Sequence, residues 1–141
     1  MAFITGAPVD LPSLLAEVEA PERGAVAAFV GRVRNHHAGR GVLRLGYSAY
    51  GPMAEAECGR IVAEAETRWP VAIGLRHRVG SLAIGDIAVA VVAASAHRDA
   101  AFAACRHVIE EVKRRVPVWK REYYADGAEA WVDPTTRLQH A

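Results

Sequence analysis

Two lysines, Lys113 and Lys120, bracket the run Lys-Arg-Arg-Val-Pro-Val-Trp-Lys-Arg-Glu over Lys113–Glu122. Five of those ten residues are basic, yet Val116, Pro117, Val118 and Trp119 interrupt them, which a solvated basic face does not require. Other polar groups fall where elements are expected to end: Arg34 before Asn35, the pair His77-Arg78, and the pair His97-Arg98. Arginine offers a planar fork that matches phosphate, whereas lysine offers a compact charge whose pKa falls readily on burial. His97-Arg98 precedes a helical pattern, so free backbone amides and the helix dipole would add to their charge. Together these groups suit a small phosphorylated substrate and a reaction that needs an amine or a proton shuttle.

Each group also has a plainer reading. Phe102, Cys105, Ile109, Val112 and Val116 recur at helical spacing as an apolar stripe. Lys113 projects within about 20° of Phe102, at the edge of that stripe. There it either snorkels, its stem covering apolar surface, or presents its amine to a pocket. Arg114 and Arg115 project away. Arg34, followed by Asn35, His36 and His37, fits a solvated loop as well as a ligand site, and His97 fits a capping histidine equally. His36, His37, His77 and His97 match no zinc spacing, so neither a metal nor a cofactor is expected. The chain contains no GxGxxG, no GxxxxGKS or GxxxxGKT, and no GxSxG.

The elements that would carry these residues follow from local pattern. Pro117 removes a backbone donor and biases Val116 away from helical geometry, so a helix ends there. Val118–Tyr124, β-branched and aromatic, then reads as a strand. Upstream, Asp10 can cap a short helix through Val18 that Pro21 ends. Gly24–Arg34 carries a nearly continuous apolar run that delivers Arg32 and Arg34, and the polar Asn35–Gly41 reads as a flexible connection. Val42–Tyr50 alternates, with Leu43, Leu45, Tyr47 and Ala49 on one face. Pro52–Trp69 is an amphipathic helix stopped by Pro70. Val71–Val79 is a strand that ends at His77-Arg78, with a turn at Gly85-Asp86. Ile87–Ala94 is almost wholly apolar, which places it centrally in a sheet and covered on both faces. Ser95 and Asp99 are candidate caps for the helix that follows. Asp126-Gly127 signals a hairpin into Glu129–Val132, and the polar residues 133–141 read as a loosely held tail. The plan is α+β, with two main helices packed on a mostly antiparallel sheet.

At 141 residues, with 52% hydrophobic and 23% charged, the chain fits one globular domain over residues 1–141. A formal charge of +1 gives no general attraction for nucleic acid, so any anion site must be local. Cys58 and Cys105 lack CxxC spacing and read as buried thiols, which fits a reducing compartment. No stretch approaches a membrane span, and the start lacks a secretory pattern, so a cytoplasmic location is expected.

Several pieces in order resemble one known family. They are Gly24–Asn35, Leu45 to Tyr50 with Met53-Ala54, Arg68-Trp69-Pro70, His77-Arg78-Val79-Gly80, Ser95-Ala96-His97-Arg98 with Ala101-Phe102, Lys113, Pro117–Glu122, Asp126-Gly127 and Trp131-Val132. This set, spanning roughly residues 24–132, is similar to the large, catalytic subunit of molybdopterin synthase. The resemblance implies an α/β-hammerhead fold and a sulfur transferase of molybdenum cofactor biosynthesis. A small ubiquitin-like partner would bring a thiocarboxylate on its C-terminal glycine, threading its tail into a pocket of this chain. Two sulfurs would pass in turn to cyclic pyranopterin monophosphate, making the dithiolene of molybdopterin. The assembly implied is a homodimer with one small subunit at each end. By position, Lys113 matches the family's principal active-site lysine and Lys120 its second. Arg34, His97 and Arg98 match residues that line the pterin and phosphate pocket. Two departures stand out: Gly46 and Ser48 flank Tyr47 where the family usually carries acidic residues, and nothing after Val132 matches. The rival reading is a non-catalytic module that holds a phosphorylated ligand or a partner's C-terminal tail in the same basic pocket.

Overall fold

In the computed structural model, which describes residues 2–37, 39–49 and 51–132, the elements run β1 (Ile4–Thr5), α1 (Leu11–Val18), β2 (Ala25–Arg32), β3 (His36–His37), β4 (Arg40–Ala49), α2 (Gly51–Arg68), β5 (Val71–Arg78), β6 (Gly80–Ala83), β7 (Ile87–Ser95), α3 (Arg98–Arg115), β8 (Val118–Tyr124) and β9 (Glu129–Val132). They form an α+β arrangement of two sheets. The first has the order β1-β5-β7-β2, antiparallel except where β1 joins β5. In the second, β4 lies between β6 and β8, with β9 beyond β8 and β3 continuing along β4.

β7 is central, as its unbroken apolar run requires. Ala90, Val92 and Ala94 face Leu14 and Val18 of α1, while Val89, Val91 and Ala93 face the core beneath α2 and α3. Such two-sided cover matches the all-apolar stretch Ile87–Ala94, with the polar Ser95 coming at the strand's end. Gly74 of β5 makes the close approach of α1 possible. A Cβ there would stand 2.7 Å from Val92 Cγ2 and 3.0 Å from Leu14 Cδ1. Gly74→Ala should therefore lower stability by about 1–3 kcal/mol, the scale of overpacking a filled core. Chemical denaturation would show it as a lower midpoint with an unchanged slope.

Several local expectations need correction. The segment expected as a flexible connection over Asn35–Gly41 folds back as a hairpin, pairing His36 with Gly41 and His37 with Arg40 around Gly39, whose φ is 78°. On β4 a register shift between Val42 and Arg44 resets the alternation. Val42 and Leu45 are therefore both buried, and Leu43 is 62% exposed. Ser95 does not cap α3, because it belongs to β7 and its hydroxyl donates to the Pro70 carbonyl at 3.0 Å. His97 occupies the cap position without a side-chain bond, and Asp99 lies within the first turn. Tyr50 and the expected tail over 133–141 lie outside the described residues.

The break after α3 is as expected. Val116 leaves helical geometry at φ −78°, ψ 125°, and its N–H still donates to the Val112 carbonyl at 3.0 Å. Val116 and Val118, on either side of Pro117, are both buried in the main core and anchor the turn into β8. Arg115 clasps the same helix end to α2, its Nη1 and Nη2 donating to the two Glu64 carboxylate oxygens at 2.7 and 2.8 Å and its Nε to Glu57 at 2.6 Å. Among the described residues, no helix is long and apolar enough to cross a membrane.

Candidate active site

Where the end of α3 meets β8, the walls of the two sheets enclose a cavity of about 400 Å³. That is the size of a small-molecule site. Its polar lining includes Lys113 from α3, Lys120 and Glu122 from β8, Tyr47 from β4, His77 from β5, and Arg34 just past β2. Val89, Val112, Val116 and Val118 contribute apolar wall. The sequence-predicted Arg34, Lys113 and Lys120 thus share one cavity, although they come from three separate parts of the chain.

Strand alternation positions the β8 groups. Val118, Glu122 and Tyr124 point inward and are buried, Lys120 shares their parity, and Trp119 points out. Lys120 Nζ lies 3.3 Å from Glu122 Oε1, with side chains 13% and 1% exposed. A carboxylate so deeply withdrawn from water needs a cation beside it, and the lysine two residues earlier on the same face supplies one.

On α3 the buried positions are Ala101, Ala104, Cys105, Val108, Ile109 and Val112. Phe102, expected in that stripe, is instead 65% exposed. It lies about a quarter turn from the centre of the buried face, and Lys113 shares its direction. Lys113 consequently stands beside the core rather than over it, bordering the cavity next to Ile109 and Val112.

His77 is buried at the end of β5, paired with Val89 on one side and Ile4 on the other. Its Nδ1 is 2.9 Å from the Arg78 carbonyl, so Nδ1 carries the proton that donates and Nε2 is left as an acceptor. The Tyr47 ring meets the imidazole edge-on at 5.2 Å. Burial pushes the His77 pKa from 6.5 down to about 4; the Arg78 bond opposes the shift and the Lys113 charge adds to it. Between those two values the unfolded chain binds a proton that the folded protein refuses. The His77 contribution to stability is therefore fully present above pH 6.5 and is lost as pH drops toward 4. His77→Gln should flatten that part of the pH–stability curve, measured by denaturation midpoints.

Residues 4–115 match the family model described as MoaE protein. The chain belongs to the MoaE family. It is 43% identical over 130 residues to molybdopterin synthase catalytic subunit 1 of Mycobacterium tuberculosis, covering 92% of this chain and 88% of the relative. The crystal structure of molybdopterin synthase from Staphylococcus aureus superposes with a TM-score of 0.88 at 35% identity, covering 93% of this chain and 96% of that one. A complex of subunits 1 and 2 of molybdopterin-converting factor from Helicobacter pylori shares the fold, with a TM-score of 0.76 at 22% identity, covering 92% and 88%.

Two predicted residues of this MoaE chain lie elsewhere. His97 and Arg98 are exposed at the start of α3, and Lys113 is near its end. At 1.5 Å per residue, Arg98 and Lys113 are separated by about 22 Å along the helix axis. Neither His97 nor Arg98 lines the cavity of its own chain. Of the pair His77-Arg78, which the sequence places at a strand end, His77 lines the cavity and Arg78 does not, while Tyr47 and Glu122 were not expected there. A signal for Glu122 was available, since it shares inward parity with Val118 and Lys120, and a carboxylate on a core-facing strand position needs a reason. For His77 the signal was its place at a strand end, although only the fold brings β5 beside α3.

Proposed function

We propose that this chain is the catalytic subunit of a molybdopterin synthase, a sulfur transferase that converts cyclic pyranopterin monophosphate to molybdopterin. The observation that carries this reading is the convergence of Lys113, Lys120 and Arg34 on one cavity in a MoaE-family chain. A C-terminal thiocarboxylate is an anion, and a cavity lined by Arg32, Arg34, Lys113 and Lys120 with apolar walls suits it. In this reading Lys113 moves protons as sulfur attacks the pterin, and Lys120 holds the second functional position. Arg34 offers its guanidinium to the substrate phosphate.

His97 and Arg98 enter this reading through the dimer. The partner set is a second copy of this chain and a small ubiquitin-like sulfur carrier, in keeping with the two-subunit complex of the Helicobacter pylori fold neighbour. Since α3 carries its two ends far apart, we assign His97 and Arg98 to the cavity of the neighbouring copy. The reaction belongs in the cytoplasm, consistent with the free, buried Cys58 and Cys105. The deciding experiment mixes the protein with a thiocarboxylated carrier and the pterin precursor and assays dithiolene. Product that depends on all three components supports the reading. Tight binding of precursor and carrier with no product would favour a binding module instead.

A further inference from the structure

We propose that His77 is a positioning residue for the reaction, its Nε2 accepting a hydrogen bond from the Lys113 ammonium and aiming that amine into the cavity. The inference rests on the sulfur-transfer reading above, and it deepens the account of one site.

Three contacts fix the imidazole. The β-ladder holds its backbone on both sides, the Arg78 carbonyl takes the Nδ1 proton at 2.9 Å, and Tyr47 packs edge-on against the ring. Rotamer and tautomer are thus set before any substrate arrives, with the Nε2 lone pair on a ring that forms part of the cavity wall. The ring shares this cavity with Lys113 from α3, Lys120 and Glu122 from β8, Tyr47 from β4, and Arg32 and Arg34 from β2 and just past it. His36 and His37 of β3 line it as well, with His36 Nδ1 3.0 Å from Asn35 Oδ1. Its register partners on the neighbouring strands are the apolar Val89 of β7 and Ile4 of β1. Glu122, the carboxylate in this set, is engaged by Lys120 at 3.3 Å. The arginines have donors alone.

Chemistry favours a neutral acceptor beside a lysine that must exchange protons. A carboxylate would hold the ammonium in its charged form, because an opposite charge stabilises the protonated amine. An uncharged imidazole directs the N–H with far less bias toward keeping the proton. The Lys113 charge is itself felt at the ring, where it disfavours a second proton. Two cations side by side are avoided by keeping the histidine neutral.

Single-turnover and steady-state assays on His77→Phe and His77→Gln, each with Lys113 and with Lys113→Ala, test the assignment. Phenylalanine keeps a ring against Tyr47 but deletes the acceptor, whereas glutamine can present an oxygen near the Nε2 position. His77→Phe should lower kcat by about tenfold to a hundredfold, the scale of a misaligned group, with KM for the pterin little changed. His77→Gln should keep most of the rate. The His77→Phe loss should vanish in the Lys113→Ala background, since a residue that acts through Lys113 has nothing left to align. A fully active His77→Phe, equal losses in Phe and Gln, or the same loss in both backgrounds would each overturn the proposal. A second measurement needs no change at His77. Ring-¹⁵N NMR should show the Nδ1–H tautomer, with a titration midpoint that rises in Lys113→Met. An unmoved midpoint would overturn the contact. If the wild-type protein makes no dithiolene, the sulfur-transfer reading falls, and the NMR result alone then decides the Lys113–His77 contact.

Discussion

Lys113→Ala should slow dithiolene formation on the order of a hundredfold or more, the scale for losing a positioned acid–base group. Folding and carrier binding should stay nearly intact. The side chain borders the cavity from the exposed side of α3 and is not part of the buried face. Removing it opens no core void. Lys113→Arg should not rescue the rate, because guanidinium stays protonated throughout the accessible pH range and its planar fork is bulkier at the wall. Were Lys113 only a snorkelling residue, the pattern would invert, with a small stability loss, arginine tolerated and turnover almost unchanged. Single-turnover rates set beside thermal melts separate the two. Lys120 is a less clean probe. Its amine lies 3.3 Å from the nearly inaccessible Glu122 carboxylate. Taking away one member of such a buried pair costs roughly 3–5 kcal/mol. Lost activity in Lys120→Ala would then mix chemistry with misfolding.

How far the sequence discloses this site depends on the range of the interaction that builds each part. The helix stop at Pro117 and the strand from Val118 are local, fixed by a missing N–H and by β-branched residues, and both stand where the pattern puts them. The burial of β7 was legible too, because two-sided cover shows in the sequence as the all-apolar run Ile87–Ala94. The phase of β4 was not, since the shift between Val42 and Arg44 arises from pairing with β8 and leaves no mark in the β4 sequence. Phe102 misled for another reason. An apolar residue at helical spacing reads as core, whereas around Phe102 the buried face of α3 is built of Ala101, Ala104 and Cys105, small residues that let that end of the helix sit close on the sheet. The gathering of His77, Tyr47 and Lys113 at one cavity is a property of the two sheets' arrangement, and no single segment contains it.

Mixing two inactive variants should restore activity. In the dimer proposed above, each cavity takes Lys113 from its own chain and Arg98 from the neighbour, because about 22 Å of helix keeps the two apart within one chain. Lys113→Ala homodimers then lack the amine at both sites, and Arg98→Ala homodimers lack the phosphate contact at both. Exchange of protomers gives a mixed dimer in which one cavity carries both lesions and the other carries neither. With equal amounts and random pairing, half the dimers are mixed and each has one sound site, so turnover should recover to about a quarter of the wild-type value. If Arg98 instead served its own chain's cavity, every site in the mixture would still lack one group and no activity would return. A double variant carrying both substitutions, mixed with wild type, supplies the converse. Every mixed dimer then has one cavity without its amine and one without its phosphate contact, so the mixture should fall below the activity of the wild-type dimers added. Measured after exchange and again without it, the two mixtures report directly on which chain's Arg98 reaches the substrate.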